Sequence, residues 1–159
     1  FITISRLTRE KRLHLVIDAV AQVPGAELNI IGEGRFRKRL ESRVQRLGLG
    51  DRVRFLGWVE DLAPYHASAT AFIQMSKYEG YGMAVTEAAL AGCPIITTDV
   101  GTIGDTIPNE DVRIVNSVHS LASAMTEALK DPRVPRPPHV MTEAEYHEAY
   151  AQALRTCTI

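Results

Sequence analysis

The chain has 159 residues, 45% of them hydrophobic and 23% charged, and its 18 basic and 19 acidic side chains leave a formal charge of −1. That balance fits one globular domain with a sizeable core and gives no support for nucleic acid as the main partner. Two cysteines, Cys93 and Cys157, supply neither a disulfide framework nor a CxxC zinc motif, and no apolar run reaches the length of a membrane span.

Residues 1–5 (FITIS) are a β-rich run that predicts a buried strand. The chain opens on this strand without a methionine, so it reads as a fragment, and the missing signal peptide says little about its parent. A polar turn, RLTREK, carries Arg6 and Lys11. From residue 10 to 23, Leu13, Val16, Ile17, Val20 and Val23 follow helical spacing until Pro24-Gly25 stops them. Residues 26–31 predict a second strand, ending at Gly32-Glu33-Gly34, a turn whose glycines mostly serve its geometry. A second helix follows, with Phe36, Leu40, Val44 and Leu47 on one stripe and Gly48 as its C-terminal cap. The basic cluster of Arg35, Arg37, Lys38, Arg39, Arg43, Arg46, Arg52 and Arg54 reads as the solvated face of this helix. Contact with an anionic lipid or a phosphorylated acceptor is the alternative for it.

Residues 52–56 predict a third strand, 57–64 a loop, and a short helix lies around 65–69. The fourth strand, 71–75, runs into Glu79-Gly80-Tyr81-Gly82-Met83 and then an alanine-rich helix over 83–91. Cys93 packs as a small hydrophobe before a fifth strand at 94–98. A loop with Gly101 and Gly104 precedes a sixth strand at 112–115, and a helix spans 117–130. Four prolines between 131 and 139 read as a semi-rigid connector. Thr142 and Glu145 then form a capping box for a last helix to about residue 155. The five histidines show no ligand spacing.

Strands alternating with helices predict an α/β class, a Rossmann-like three-layer domain with a mostly parallel sheet of about six strands. Such sheets bind ligands beyond the carboxyl ends of their strands, where Arg6, Lys11 and residues 57–61, 76–82 and 99–105 all fall. In the loop after the fourth strand, glycines at a helix N-terminus suit an anion. A carboxylate beside them suits a ligand that carries hydroxyls next to its phosphates. Together they suggest a nucleotide sugar. Capping of the following helix is the bland alternative for Glu79, and a solvated glutamate the alternative for Glu87.

The segments SRLTREKRLHLVIDA, LNIIGEGRFRKRLE, RVRFLGWVEDL and SKYEGYGMAVTEAALAGCPIITTDVG resemble the C-terminal, donor-binding half of a GT-B glycosyltransferase, nearest to the retaining family 4 enzymes (glycosyl transferases group 1). The resemblance implies donor binding over residues 1–131, a connector and C-terminal helix over 132–159, and an N-terminal acceptor domain outside this chain. It implies Glu79 on the hydroxyls of the donor sugar, Arg6 and Lys11 on the pyrophosphate, and Glu87 on the ribose hydroxyls. Gly80, Tyr81, Gly82 and Met83 would contact the donor through their backbone, and Val59 the nucleobase edge. A Cβ at Gly80 or Gly82 would crowd the ligand or forbid the backbone angles.

The family's β-phosphate is expected to assist deprotonation of the acceptor, with no cofactor and no metal. Asp-x-Asp, the usual metal-binding pair, occurs nowhere in the chain. The expected partners are a nucleotide sugar, the missing N-terminal domain and an unidentified acceptor. The expected location is the cytoplasm, free or peripheral to the membrane. Asp105 stands near the position where the family usually has glutamate, and Met75 replaces a common proline. A non-catalytic nucleotide-sugar module, a GT-B epimerase and a sugar phosphorylase are the rival readings.

Overall fold

The computed structural model describes residues 1–80, 82–101 and 112–130. Six strands form one sheet: β1 (Ile2–Ile4), β2 (Leu28–Ile31), β3 (Val53–Gly57), β4 (Phe72–Gln74), β5 (Ile95–Thr97) and β6 (Val112–Ile114). Their order is β3-β2-β1-β4-β5-β6, and every neighbouring pair is parallel. The helices are α1 (Leu13–Gln22), α2 (Arg37–Arg46), α3 (Ala63–Ser68), α4 (Met83–Leu90) and α5 (Val118–Lys130).

Alternation along the strands builds the three layers. Ile73 and Ile96 join one core with Val16, Ile17, Leu40, Val44, Leu121 and Met125, from α1, α2 and α5. Their neighbours Phe72 and Ile95 point the other way, into a smaller core with Val85 and Ala88 of α4. Because successive side chains of a strand face opposite sides, a parallel strand covered on both faces has to be largely apolar along its whole length. The short runs FIQ and IIT are buried throughout.

Two helices stop in the same way. At the end of α2, the Gly48 N–H donates to the Gln45 carbonyl and the Leu49 N–H to Val44, both at 3.0 Å. At the end of α4, Gly92 donates to Ala89 at 3.0 Å and Cys93 to Ala88 at 2.9 Å. Gly48 and Gly92 have φ of 67° and 66°, the left-handed conformation that this stop requires. The stop delivers Leu49 and Cys93 into the core, so Leu49 takes the inward place expected for Leu47, which is 40% exposed.

The helix predicted from residue 10 starts at Leu13, because Arg12 is left-handed at φ 49°. Its guanidinium accounts for that: Nε donates to the Met75 carbonyl at 2.6 Å and Nη2 to the Ser76 carbonyl at 2.7 Å. The basic cluster also departs from a plain solvated face. Arg37 bonds Glu33 and Glu41, Arg43 bonds Asp18, and Arg54 pairs with Glu27. Arg52 donates to the carbonyls of Val20, Val23 and Ala26, closing the end of α1. The proline connector, the last helix and Asp105 lie outside the described residues.

Candidate functional site

The sheet order reverses between β1 and β4, and the loops that leave these two strands diverge there to opposite faces. That is where an open α/β sheet forms its binding crevice. The loop after β1 carries Arg6 and Lys11; the loop after β4 carries Glu79 and Gly80. Besides the Lys11–Glu79 pair, three contacts sew the loops together: the two Arg12 hydrogen bonds, and a third from the Lys77 N–H to the Glu10 carbonyl at 2.8 Å. The neighbouring β5 end joins in, as the Thr98 hydroxyl donates to the Ser76 carbonyl at 2.8 Å.

The Glu79 carboxylate is the centre of the crevice. Lys11 Nζ donates to its Oε1 at 2.6 Å, and the Ser76 hydroxyl donates to the same oxygen at 2.6 Å. The two charged side chains are only 17% and 10% exposed. Among the described residues no hydrogen bond reaches Oε2. Among the described residues Glu79 is thus fixed through one oxygen.

Helix capping, the bland alternative for Glu79, is not seen: no side chain of the described residues caps the N-terminus of α4. Gly82 is its N-cap residue, left-handed at φ 66° and ψ 37°. The first turn of α4 therefore offers its backbone N–H groups and the positive end of its dipole to the crevice. Met83 opens that turn and is partly exposed. Gly80 has no left-handed φ, and a Cβ built on it meets nothing within 4 Å among the described residues, so neither strain nor packing against them demands glycine there. Tyr81 lies outside the described residues.

Glu87, one turn further along α4, is half-buried, and burial raises its carboxyl above the ordinary glutamate value. No side-chain partner among the described residues neutralises it. Arg6 is exposed on the rim and makes no side-chain hydrogen bond or ion pair among the described residues. Val59 is half-buried in the loop after β3, while Trp58 beside it is 82% exposed and points to solvent. The strand order sets β3 two places from β1, roughly 10 Å along the rim at the usual spacing of strands.

One residue of the site escaped sequence reasoning. Arg12 sits in a basic run where nothing distinguishes it from Arg9 or Lys11. Gly101, left-handed at φ 71°, lies against the crevice: a Cβ there would stand 3.1 Å from the Gly80 carbonyl oxygen and 3.4 Å from the Glu79 Cβ. Residues 99–105 were expected on the same rim as residues 76–82, and Gly101 lies there beside Glu79. The Ser76 hydroxyl was likewise legible as a small polar residue three positions before Glu79. Among the described residues no three His, Cys, Asp or Glu gather as a metal site. No helix among them is long and apolar enough to cross a membrane.

The fold agrees with comparisons to known proteins. Residues 1–148 match the family model of glycosyl transferases group 1. The chain belongs to that family. It is 34% identical over 96 residues to the lipopolysaccharide core biosynthesis glycosyltransferase LpsE of Rhizobium meliloti, covering 60% of this chain and 28% of the relative. It is 32% identical over 139 residues to the glycogen synthase of Mycobacterium tuberculosis, covering 81% of this chain and 33% of the relative. Among solved structures, Anabaena Alr3699/HepE in complex with UDP superposes with a TM-score of 0.76 at 25% identity, over 97% of this chain and 43% of that one. The chain thus spans about a third or less of the length of these curated relatives.

Proposed function

We propose that this chain is the donor-binding part of a retaining glycosyltransferase that moves a sugar from a nucleoside diphosphate to an acceptor. The observation that carries the reading is the Glu79 carboxylate, held through Oε1 by Lys11 and Ser76, whose Oε2 has no hydrogen-bond partner among the described residues, beside a helix N-terminus that none of their side chains caps. A bare phosphate site has no use for that oxygen, whereas a sugar hydroxyl does. The named relatives, and the Anabaena protein with bound UDP, support the same ligand class.

In this reading the ligand is divided along the crevice. The diphosphate lies against Arg6, Lys11 and the first turn of α4, through the backbone of Gly80, Tyr81, Gly82 and Met83. The sugar meets Glu79, the ribose meets Glu87, and the base lies toward Val59. As the bond from the anomeric carbon to phosphate oxygen breaks, negative charge grows on the leaving diphosphate. Preorganised cations aimed at that oxygen stabilise the transition state without rearranging. Lys11 touches both sides of the breaking bond, through Glu79 and through the phosphate. Residues 1–131 hold the donor in this reading. The acceptor would be gripped by a further domain, and Arg6 with Lys11 takes the place of a metal.

The test is calorimetric titration of the chain with UDP, GDP and ADP, then with the sugar-bearing form of whichever binds. Glu87→Ala is expected to weaken the nucleoside diphosphate itself. Glu79→Ala is expected to spare the diphosphate and weaken only the sugar-bearing donor. Equal losses for both ligands in both variants would sink the division of roles.

A further inference from the structure

On α2, Arg39, Arg43 and Arg46 stand at spacings of four and three, so they share one stripe of the helix. Opposite them are Arg9, in the loop before α1, and His14, in the first turn of α1. Between the two groups runs an open cleft of about 720 Å³, whose lining includes the half-buried Phe36 and the buried Leu40. Its size falls in the range of small-molecule sites.

The positive charge of this cleft is unbalanced. Arg43 has an acid, since its Nε and Nη2 donate to the two oxygens of Asp18 at 2.6 and 2.5 Å. Arg9, Arg39 and Arg46 are exposed and form no ion pair among the described residues. Other cations of the cluster differ: Arg37 and Arg54 each have a carboxylate, and Arg52 is spent on carbonyls, while Arg35, which lies over the Phe36 ring, and Lys38 form no ion pair among the described residues and do not line the cleft. Three unmatched guanidinium groups, those of Arg9, Arg39 and Arg46, face the one concavity. Guanidinium is the group best shaped to bind phosphate oxygens in pairs.

We propose that the cleft between α1 and α2 binds a phosphate-bearing ligand, at a site separate from the crevice between β1 and β4. The separation follows from the layers: α1 and α2 pack on one face of the sheet, and α4 on the other. His14, exposed at the cleft, adds an imidazole; partial desolvation first, and then the charge of Arg43, lowers its pKa. Asp18 opposes these charges; Arg12 and Arg39 act on His14 in the same direction as Arg43. Arg9 shares its loop with Arg6 and Lys11, so an occupant of the cleft would touch the loop that holds Glu79 from its outer side.

The test titrates the isotope-labelled chain with inorganic pyrophosphate and follows the resonances of Arg9, His14, Arg39 and Arg43. They are expected to shift in the unaltered chain and in Arg6→Ala, which alters the other site. In Arg39→Ser/Arg46→Ser, both exposed positions, binding at the cleft should be at least about tenfold weaker. A parallel arm sediments the chain with vesicles of phosphatidylcholine and phosphatidylglycerol. Shifts with pyrophosphate assign a soluble phosphate; sedimentation alone, abolished by the double substitution, assigns a lipid headgroup. No response to either probe, or a response indifferent to the double substitution, overturns the proposal.

Discussion

Lys11 and Glu79 hold each other mostly out of water, and that placement gives the pair its energetic character. Breaking such a pair leaves one desolvated charge behind, which costs up to about 3–5 kcal/mol, whereas removing both charges costs far less. Lys11→Ala and Glu79→Ala are each expected to lower stability in urea unfolding, and the double variant should lose clearly less than their sum. An additive result would show that the contact contributes nothing to the folded state. Glu87 differs, because burial raises its carboxyl and no side chain among the described residues compensates it. The sign follows from linkage: the folded state binds the proton more tightly than the unfolded one. Stability therefore falls as pH rises from the ordinary glutamate value through the raised one, and stays lower above it. Glu87→Gln should raise the melting temperature of the ligand-free chain at neutral pH and remove the pH dependence that Glu87 adds. The same variant should bind nucleotide less well, which is the trade expected where a functional group is held at a cost in stability. Neither effect could be read from the spacing of Glu79 and Glu87, since spacing contains no burial.

The elements around the crevice depend on close approach of one backbone to another. A Cβ on Gly32 would stand 2.0 Å from the Ser5 carbonyl oxygen, and one on Gly34 would stand 2.5 Å from that of Leu7. Backbone bonds run alongside, from Leu7 N–H to the Glu33 carbonyl at 2.8 Å and from Phe36 N–H to the Leu7 carbonyl at 3.1 Å. This turn therefore supports the loop that carries Arg6 and Lys11, as well as turning the chain. Gly25 provides the contrast, with a left-handed φ of 79° and no atom within 4 Å of the place a Cβ would occupy. Gly25→Ala should cost about 1–2 kcal/mol through conformation alone. Gly32→Ala should cost more and also disturb the Lys11–Glu79 pair; urea unfolding of both variants decides it. Comparable losses would mean that the backbone at Ser5 yields easily.

For the whole molecule, the order β3-β2-β1-β4-β5-β6 puts the β1 and β4 loops at the one place where successive connections part. Lys11 and Glu79, far apart in sequence, meet there because their strands are neighbours. In the proposed chemistry fixed cations replace a metal. Chelation with EDTA should therefore leave nucleoside diphosphate affinity unchanged, as checked by calorimetry before and after treatment. A loss restored by magnesium or manganese would place a metal in the site and remove the need for Arg6.

The hydrophobic periodicity of the chain sufficed for the helices among the described residues, the order of strands along the sequence and the α/β class, because those features follow from local period. The glycines and the carboxylate of the loop after β4 drew attention to the crevice for the same local reason. Three things depended on tertiary structure. Arg12 abandons helical geometry to reach the carbonyls of Met75 and Ser76, a choice made by groups 63 and 64 residues away. The basic cluster contains arginines that tie elements together and others that face an open cleft without a carboxylate partner, a difference that the positions of Asp18, Glu27, Glu33 and Glu41 decide. The Glu79 carboxylate is held through Oε1 by Lys11 and Ser76 rather than by the N-terminus of the helix that follows it. Local sequence sets which groups are available, and long-range contact sets which of their lone pairs and charges stay free.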